Sequence, residues 1–243
     1  MNMTPSLLEL HNISYSYPGQ KKPLLNEINF HAHKEQIGII GPNGSGKTTL
    51  FQIIMGLLKA DDGQIVLQGT EIKTEKDFFT LRRKLGFLFQ DSDDQLFSPT
   101  VLEDIAFGPL NHGATPQEAR DISIRTLEKL GLKGFEDRIT HRLSGGEKKL
   151  VALATILSME PEMLLLDEPS NNLDPATRER LIKILREQKL AHIIISHDLD
   201  FLASTCNQLY TMQDGQLIRC EEKQIHCHEH IHPYGNQPHL HGT

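Results

Sequence analysis

The chain has 243 residues, a net charge of −7 and a pI near 6.0, which argues against a nucleic-acid-binding surface as its main business. That length can bury one full core, as a single large domain or as a domain with an insert. The longest strongly apolar stretch, Leu50–Leu58, is far shorter than the roughly 20 residues of a bilayer crossing, no signal-peptide pattern is seen, and Cys206, Cys220 and Cys227 form no CxxC pair. These features predict a cytosolic protein that reaches a membrane only through a partner.

The first strand signal in chain order is "IGII" (37–40), a short continuous apolar run of the kind found in parallel strands covered on both faces. It leads into "GPNGSGKT", residues Gly41, Pro42, Asn43, Gly44, Ser45, Gly46, Lys47 and Thr48, followed by Thr49 and the helical segment "TLFQIIMGLL". Strand, G-x-x-x-x-G-K-[ST] loop and helix in that order form the P-loop pattern. Gly44 and Gly46 let backbone N–H groups wrap phosphates, Lys47 brings positive charge to the β and γ oxygens, and Thr48 can coordinate Mg²⁺. The helix N-terminus adds its dipole to the same anion site. A nucleoside triphosphate site is therefore expected here.

After the strand "GFLF" and Gln90, residues of about 91–159 lack convincing strands and read as a helical insert within an α/β core. Pro116–Leu130 carries Ala119, Ile122, Leu127 and Leu130 on one helical stripe. "LSGGE", Leu143 to Glu147, then precedes the apolar "LVALATIL". Ser144 and Glu147 make a capping box, which a helix start alone would explain. Gly145 and Gly146 need another reason, because each glycine in a helix costs about 1 kcal/mol relative to alanine. Backbone N–H groups left bare for a ligand supply one, so a second anion-binding helix start is expected.

"MLLLDEPS", Met163 to Ser170, reads as a buried strand that delivers Asp167 to its end, suited to Mg²⁺, with Glu168 next as a general base. Two adjacent carboxylates could also be a solvated turn before Pro169. Pro175–Gln188 is an amphipathic helix with Leu181, Ile184 and Leu185 inward and Pro175 in its first turn. "HIIIS" (192–196) is the next strand, and His197 follows it. Past Cys220 the apolar periodicity stops.

The P-loop, Gln90, "LSGGE", the Asp167-Glu168 strand, "NNLD" and "ISHD", in that order over residues of about 7 to 220, resemble an ATP-binding cassette (ABC) ATPase. The resemblance implies an α/β fold, a P-loop NTPase (RecA-like) core with an antiparallel β subdomain and a helical insert. It implies a cassette over 1–222, its α/β core about 1–90 and 160–222 and its insert about 91–159; composition alone predicts a His-rich, flexible tail over 223–243. It further implies ATP hydrolysis with Mg²⁺ between two cassettes, a homodimer bound to integral membrane subunits on the cytoplasmic face. On that mapping Tyr17 stacks on adenine, although Tyr15 on the same face leaves strand packing open for it. Gln90 touches Mg²⁺ and water, Ser144 to Glu147 meet the γ-phosphate in trans, Asp174 closes across the interface, and His197 senses the γ-phosphate. Glu147 stands where the signature more commonly has Gln, and Leu150 where many members carry Arg.

The stretch "FQDSDDQLFSPTVLEDIAFGPLN", Phe89 to Asn111, resembles energy-coupling-factor importers, a group that includes cobalt and nickel uptake systems; a vitamin cargo is the alternative. Six of the ten phenylalanines lie between Phe78 and Phe107, either as core packing or as a groove for a membrane subunit's helix. A nickel-chaperone GTPase would need a guanine-reading N/T-K-x-D motif, which is absent. The tail has six histidines after residue 224. His226, His228, His230 and His232 alternate, so an extended segment would project all four to one side as ligands for Ni²⁺ or Co²⁺, with Cys227 adding a thiol. A solvated tail that binds metal adventitiously is the other explanation.

Overall fold

Each of the apolar runs read at 37–40, 163–166 and 192–196 forms a parallel strand, and the reason is visible in how its residues divide. The computed structural model describes residues 6–20 and 22–220. In chain order its elements are β1 (Leu8–Tyr15), β2 (Leu25–Ala32), β3 (Gln36–Ile40), α1 (Lys47–Ile54), β4 (Asp62–Leu67), β5 (Thr70–Ile72), α2 (Glu75–Lys84) and β6 (Leu85–Leu88). There follow α3 (Val101–Asn111), α4 (Pro116–Lys129), α5 (Gly145–Leu157), β7 (Met163–Asp167), α6 (Pro175–Gln188), β8 (Ala191–Ile195), α7 (Leu199–Thr205), β9 (Gln208–Gln213) and β10 (Gln216–Arg219).

Six strands form one sheet in the order β10-β9-β3-β8-β7-β6, parallel except for the β9–β10 hairpin. Along β7 and β8 successive residues enter opposite cores: Met163, Leu165, Ile193 and Ile195 on one face, Leu164, Leu166 and Ile194 on the other. Period-two alternation with both faces covered is why these strands read as unbroken apolar runs. A second, antiparallel sheet, β2-β1-β4-β5, packs its Leu8, Leu10, Ile28 and Ile65 into the first of those cores. The α/β cassette with an antiparallel subdomain is therefore the observed architecture.

Between residues 92 and 157 the regular elements are helical, including the short 3₁₀ turns Ser92–Asp94 and Thr140–Arg142. The four helices α2, α3, α4 and α5 all start with a reciprocal capping box, at Thr74/Asp77, Thr100/Glu103, Thr115/Glu118 and Ser144/Glu147. Each such cap satisfies orphan N–H groups and contributes about 1 kcal/mol. Helix α5 lies tightly on β6, where a Cβ on Gly86 would fall 2.0 Å from Ile156. That close approach brings the start of α5 beside the loop that leaves β6. Asp104, buried in α3, accepts from the backbone N–H of Phe97 (3.1 Å) and Ser98 (2.9 Å) and so holds the far end of the same loop.

Candidate active site

The P-loop joins β3 to α1, and its backbone runs through three left-handed glycines, Gly41 (φ 148°), Gly44 (φ 77°) and Gly46 (φ 102°). At Gly46 a Cβ would also lie 2.7 Å from Leu25, so both the angle and the space demand glycine. The buried Lys47 ammonium donates to the carbonyls of Gly41 (2.7 Å) and Pro42 (3.0 Å). An ammonium has three protons, so a donor remains for a phosphate oxygen. Burial draws the Lys47 pKa down, and Glu168 and Asp167 pull it back up.

Above the loop opens a cleft of about 590 Å³ lined by Tyr17, residues 43–49, Gln90, Asp167, Glu168 and His197, among others. Tyr17 lies beyond the end of β1 at the cleft wall, with 38 % of its surface exposed, its ring edge-on to Tyr15 and its hydroxyl 3.2 Å from that of Thr49. Tyr15 is the buried member of the pair. The two tyrosines thus part company: one packs the core and the other faces the cleft.

Parallel strand β7 carries Asp167 to its C-terminal end, fully buried, and both of its carboxylate oxygens lack a hydrogen-bond partner among the described residues. The Thr48 hydroxyl is near enough to favour the charged form without making a bond of full geometry, and Lys47 and Lys149 act in the same sense. Burial outweighs all three and raises the Asp167 pKa. A buried carboxylate with two free oxygens beside a threonine hydroxyl is a hard-oxygen donor set that fits Mg²⁺.

Glu168 follows in a left-handed conformation (φ 47°), a strained setting for a non-glycine residue that turns its carboxylate into the cleft wall. Its two oxygens lie 3.4 Å from the backbone N–H and from the Nε2 of His197. Burial raises the pKa of Glu168, opposed first by His197. A carboxylate with raised proton affinity, held by a second group, can act as a general base. The turn Ser144–Glu147 does not line this cleft. Gly145 faces open space, whereas Gly146 is buried with Thr177 3.2 Å from where its Cβ would be.

Residues 25–171 match the ABC transporter family. A protein of Nitratidesulfovibrio vulgaris named as an ABC transporter ATP-binding protein is 53 % identical over 237 residues, 97 % of this chain and 86 % of the relative. The chain belongs to the ABC transporter family. It is an ATP-hydrolysing cassette. The energy-coupling factor transporter ATP-binding protein of Methanothermobacter thermautotrophicus is 43 % identical over 217 residues, covering 87 % of this cassette and 70 % of its own length. Among solved structures, cbiO1 of Clostridium perfringens, part of the transporter complex cbiONQ, superposes with a TM-score of 0.79 at 36 % identity over 88 % of each chain. The dimeric cassette MJ0796 bound to ADP and Pi superposes at 0.77 with 26 % identity, over 86 % of this chain and 96 % of that one.

Two residues expected at the interface also have roles inside their own chain. Gly146 has a reason inside its own chain, the contact with Thr177 on α6, so ligand access alone does not account for it. Asp174, expected across an interface, caps α6 by accepting from Ala176, Thr177 and the Thr177 hydroxyl. Asn171 lines the cleft and Lys149 is buried beside it, though neither was read as a site residue. Asn171 was signalled by its place within "NNLD"; Lys149, one of two adjacent lysines, gave no signal. His226, Cys227, His228, His230 and His232 lie outside the described residues. Among the described residues no three or more His, Cys, Asp and Glu side chains gather into a metal-binding cluster, and no helix is long and apolar enough to cross a membrane.

Proposed function

We propose that this cassette powers an energy-coupling-factor importer of cobalt or nickel ions, as a homodimer at the cytoplasmic face of the membrane. The observation that carries the hydrolytic part is the pair of buried carboxylates at the end of β7, one with free oxygens and one held by His197, facing the P-loop. ATP would lie with adenine on Tyr17 and its phosphates on Gly41–Thr49. Thr48, Asp167 and Gln90 would hold Mg²⁺, which neutralises charge on the phosphate oxygens. Glu168 takes the proton of the attacking water, His197 orients Glu168 and meets the γ-phosphate, and Ser144–Glu147 of the second copy closes the site. Residues 1–222 form the cassette and 223–243 a tail that takes the imported ion. The names of the M. thermautotrophicus relative and of the C. perfringens complex support the transporter type.

A groove of about 460 Å³ beside the loop after β6 supports the membrane partner. Its wall includes Leu57, Phe79, Phe97 and Phe107, each about half exposed or more, and Phe97 reaches 67 %. Phe97 and Phe107 meet edge to face at 4.8 Å, so the phenylalanines divide: Phe51 lies in the core, Phe87 packs there and also backs the groove, and these two front it. Phe97→Asp is expected to abolish pull-down of the membrane subunits while melting within a few degrees of wild type, because so exposed a ring leaves little cavity. Equal loss of assembly and stability would return Phe97 to a packing role.

The cargo is tested by co-purifying the cassette with its membrane subunits, reconstituting the complex in vesicles and measuring ATP-driven uptake. Accumulation of Ni²⁺ or Co²⁺ is the expected result, and uptake of a vitamin with neither ion would overturn it. Deleting residues 224–243 is expected to leave ATP hydrolysis intact, since every nucleotide motif lies upstream, and to remove Ni²⁺ or Co²⁺ binding in calorimetry. In the full chain that affinity should fall steeply below about pH 6, where imidazoles protonate. Equal ion binding by the truncated and full-length proteins would remove the tail from the reading.

A further inference from the structure

We propose that Lys149 is a positioning residue that locks the Gln90 loop to helix α5, so that the water side of one ATP site and the Ser144–Glu147 turn move as one body. Lys149 is 5 % exposed, an unusual state for a side chain whose long stem normally carries its charge back to water. Its Nζ donates to the carbonyl of Gln90 at 2.7 Å and, more weakly, to that of Phe89 at 3.4 Å. Among the described residues it forms no ion pair; the carboxylates of Asp91, Asp167 and Glu168 act on it from farther away. A buried cation satisfied chiefly by one peptide carbonyl is costly, and an apolar side chain of the same length would serve stability as well or better. The charge therefore serves the carbonyl it holds.

That carbonyl belongs to Gln90, which lines the P-loop cleft together with Asp167 and Glu168. Fixing it sets the peptide from which Gln90 projects. Two further ties bind the same loop to α5. The Gln95 amide donates to the Ala152 carbonyl (2.8 Å) and to the Thr155 hydroxyl (2.9 Å), and Lys148 pairs with Asp93 at 2.6 Å. Lys149 is the tie nearest the chemistry. It also stands one helical turn, about 6 Å along the axis, from Gly145. Gln90, Gly145, Lys149 and Asn171 all line one cleft of about 290 Å³. A shift of the Gln90 loop thus reaches the turn offered to the second protomer through a single rigid turn of helix.

The inference rests on the reading of Gln90 as part of the hydrolytic site, and four variants of the full chain separate the two. Lys149→Met is expected to melt at or above the wild-type temperature and to bind ATP normally, yet to lose about 10- to 100-fold in kcat, the usual cost of a misplaced group. Lys149→Arg, which keeps the charge and donors, should recover part of that loss. Lys149→Gln should lose turnover as Lys149→Met does, and it carries the comparison if the latter melts lower. Gln90→Ala should also lose turnover, and adding Lys149→Met to it should cost less than about twofold more, because residues acting as one unit are non-additive. Wild-type kcat in Lys149→Met and Lys149→Gln, with Gln90→Ala impaired, would overturn this inference alone. Fully multiplicative losses in the double variant would do the same. Normal hydrolysis by Gln90→Ala would overturn the reading of Gln90 and this inference with it.

Discussion

Glu168→Gln is expected to bind ATP as the wild type does and to lose about 10²–10⁴-fold in hydrolysis, the range that a general base contributes. The substitution preserves size and leaves a side chain that can still accept from the His197 backbone N–H, 3.4 Å from the present carboxylate. It removes only the capacity to take a proton. Because Glu168 is buried, its proton affinity is raised, which makes the carboxylate a stronger base once ionised. The sign of the pH effect follows. A raised pKa means that the group protonates sooner on acidification, so the acid limb of kcat/KM, which reports the free enzyme, should lie above the ordinary carboxylate range. That limb should vanish in the variant. The variant should also collect as an ATP-bound dimer, visible by size exclusion. Near-normal steady-state turnover would reassign the base.

The legible part of the molecule was the part whose chemistry needs adjacent residues. P-loop, Asp167-Glu168 and the Ser144–Glu147 cap are each built from a few consecutive positions, so their spacing carried the geometry. The strands β3, β7 and β8 were readable because both faces are buried and the apolar run is continuous. β1 was not, because its alternation is broken at Asn12, which sits at φ 54° where the pairing register shifts. Helix α3 was concealed by Gly108 and Pro109 near its end, residues that signal a break. Helix α2 buries only Leu81 and so shows almost no apolar stripe. Lys149 was the least legible of all. In "EKK" it reads as a solvated charge, and only the docking of α5 against residues 89–95 buries it.

Gly145→Asp and Lys47→Ala are each expected to be inactive alone and to restore one another when mixed. The structure favours Gly145 over Gly146 for this test. A side chain at Gly145 meets open space, while one at Gly146 would press on Thr177 and disturb its own protomer. Aspartate is also well tolerated in the first turn of a helix, so α5 should form normally. Its carboxylate would stand where a γ-phosphate is to bind, and repulsion between the two anions should block closure. ATP binding to the single protomer should stay near normal, because residues 144–147 do not line the P-loop cleft of their own chain. Lys47→Ala fails for a different reason, since it removes the ammonium that now bridges the carbonyls of Gly41 and Pro42. In a heterodimer, one site joins the intact P-loop of the Gly145→Asp chain to the intact turn of the Lys47→Ala chain, and the other site carries both lesions. Random pairing of equal amounts puts half of the chains in heterodimers with one good site of two, so about a quarter of wild-type hydrolysis should return. Heterodimers confirmed by differential tags but without activity would show that the turn does not serve its partner's nucleotide.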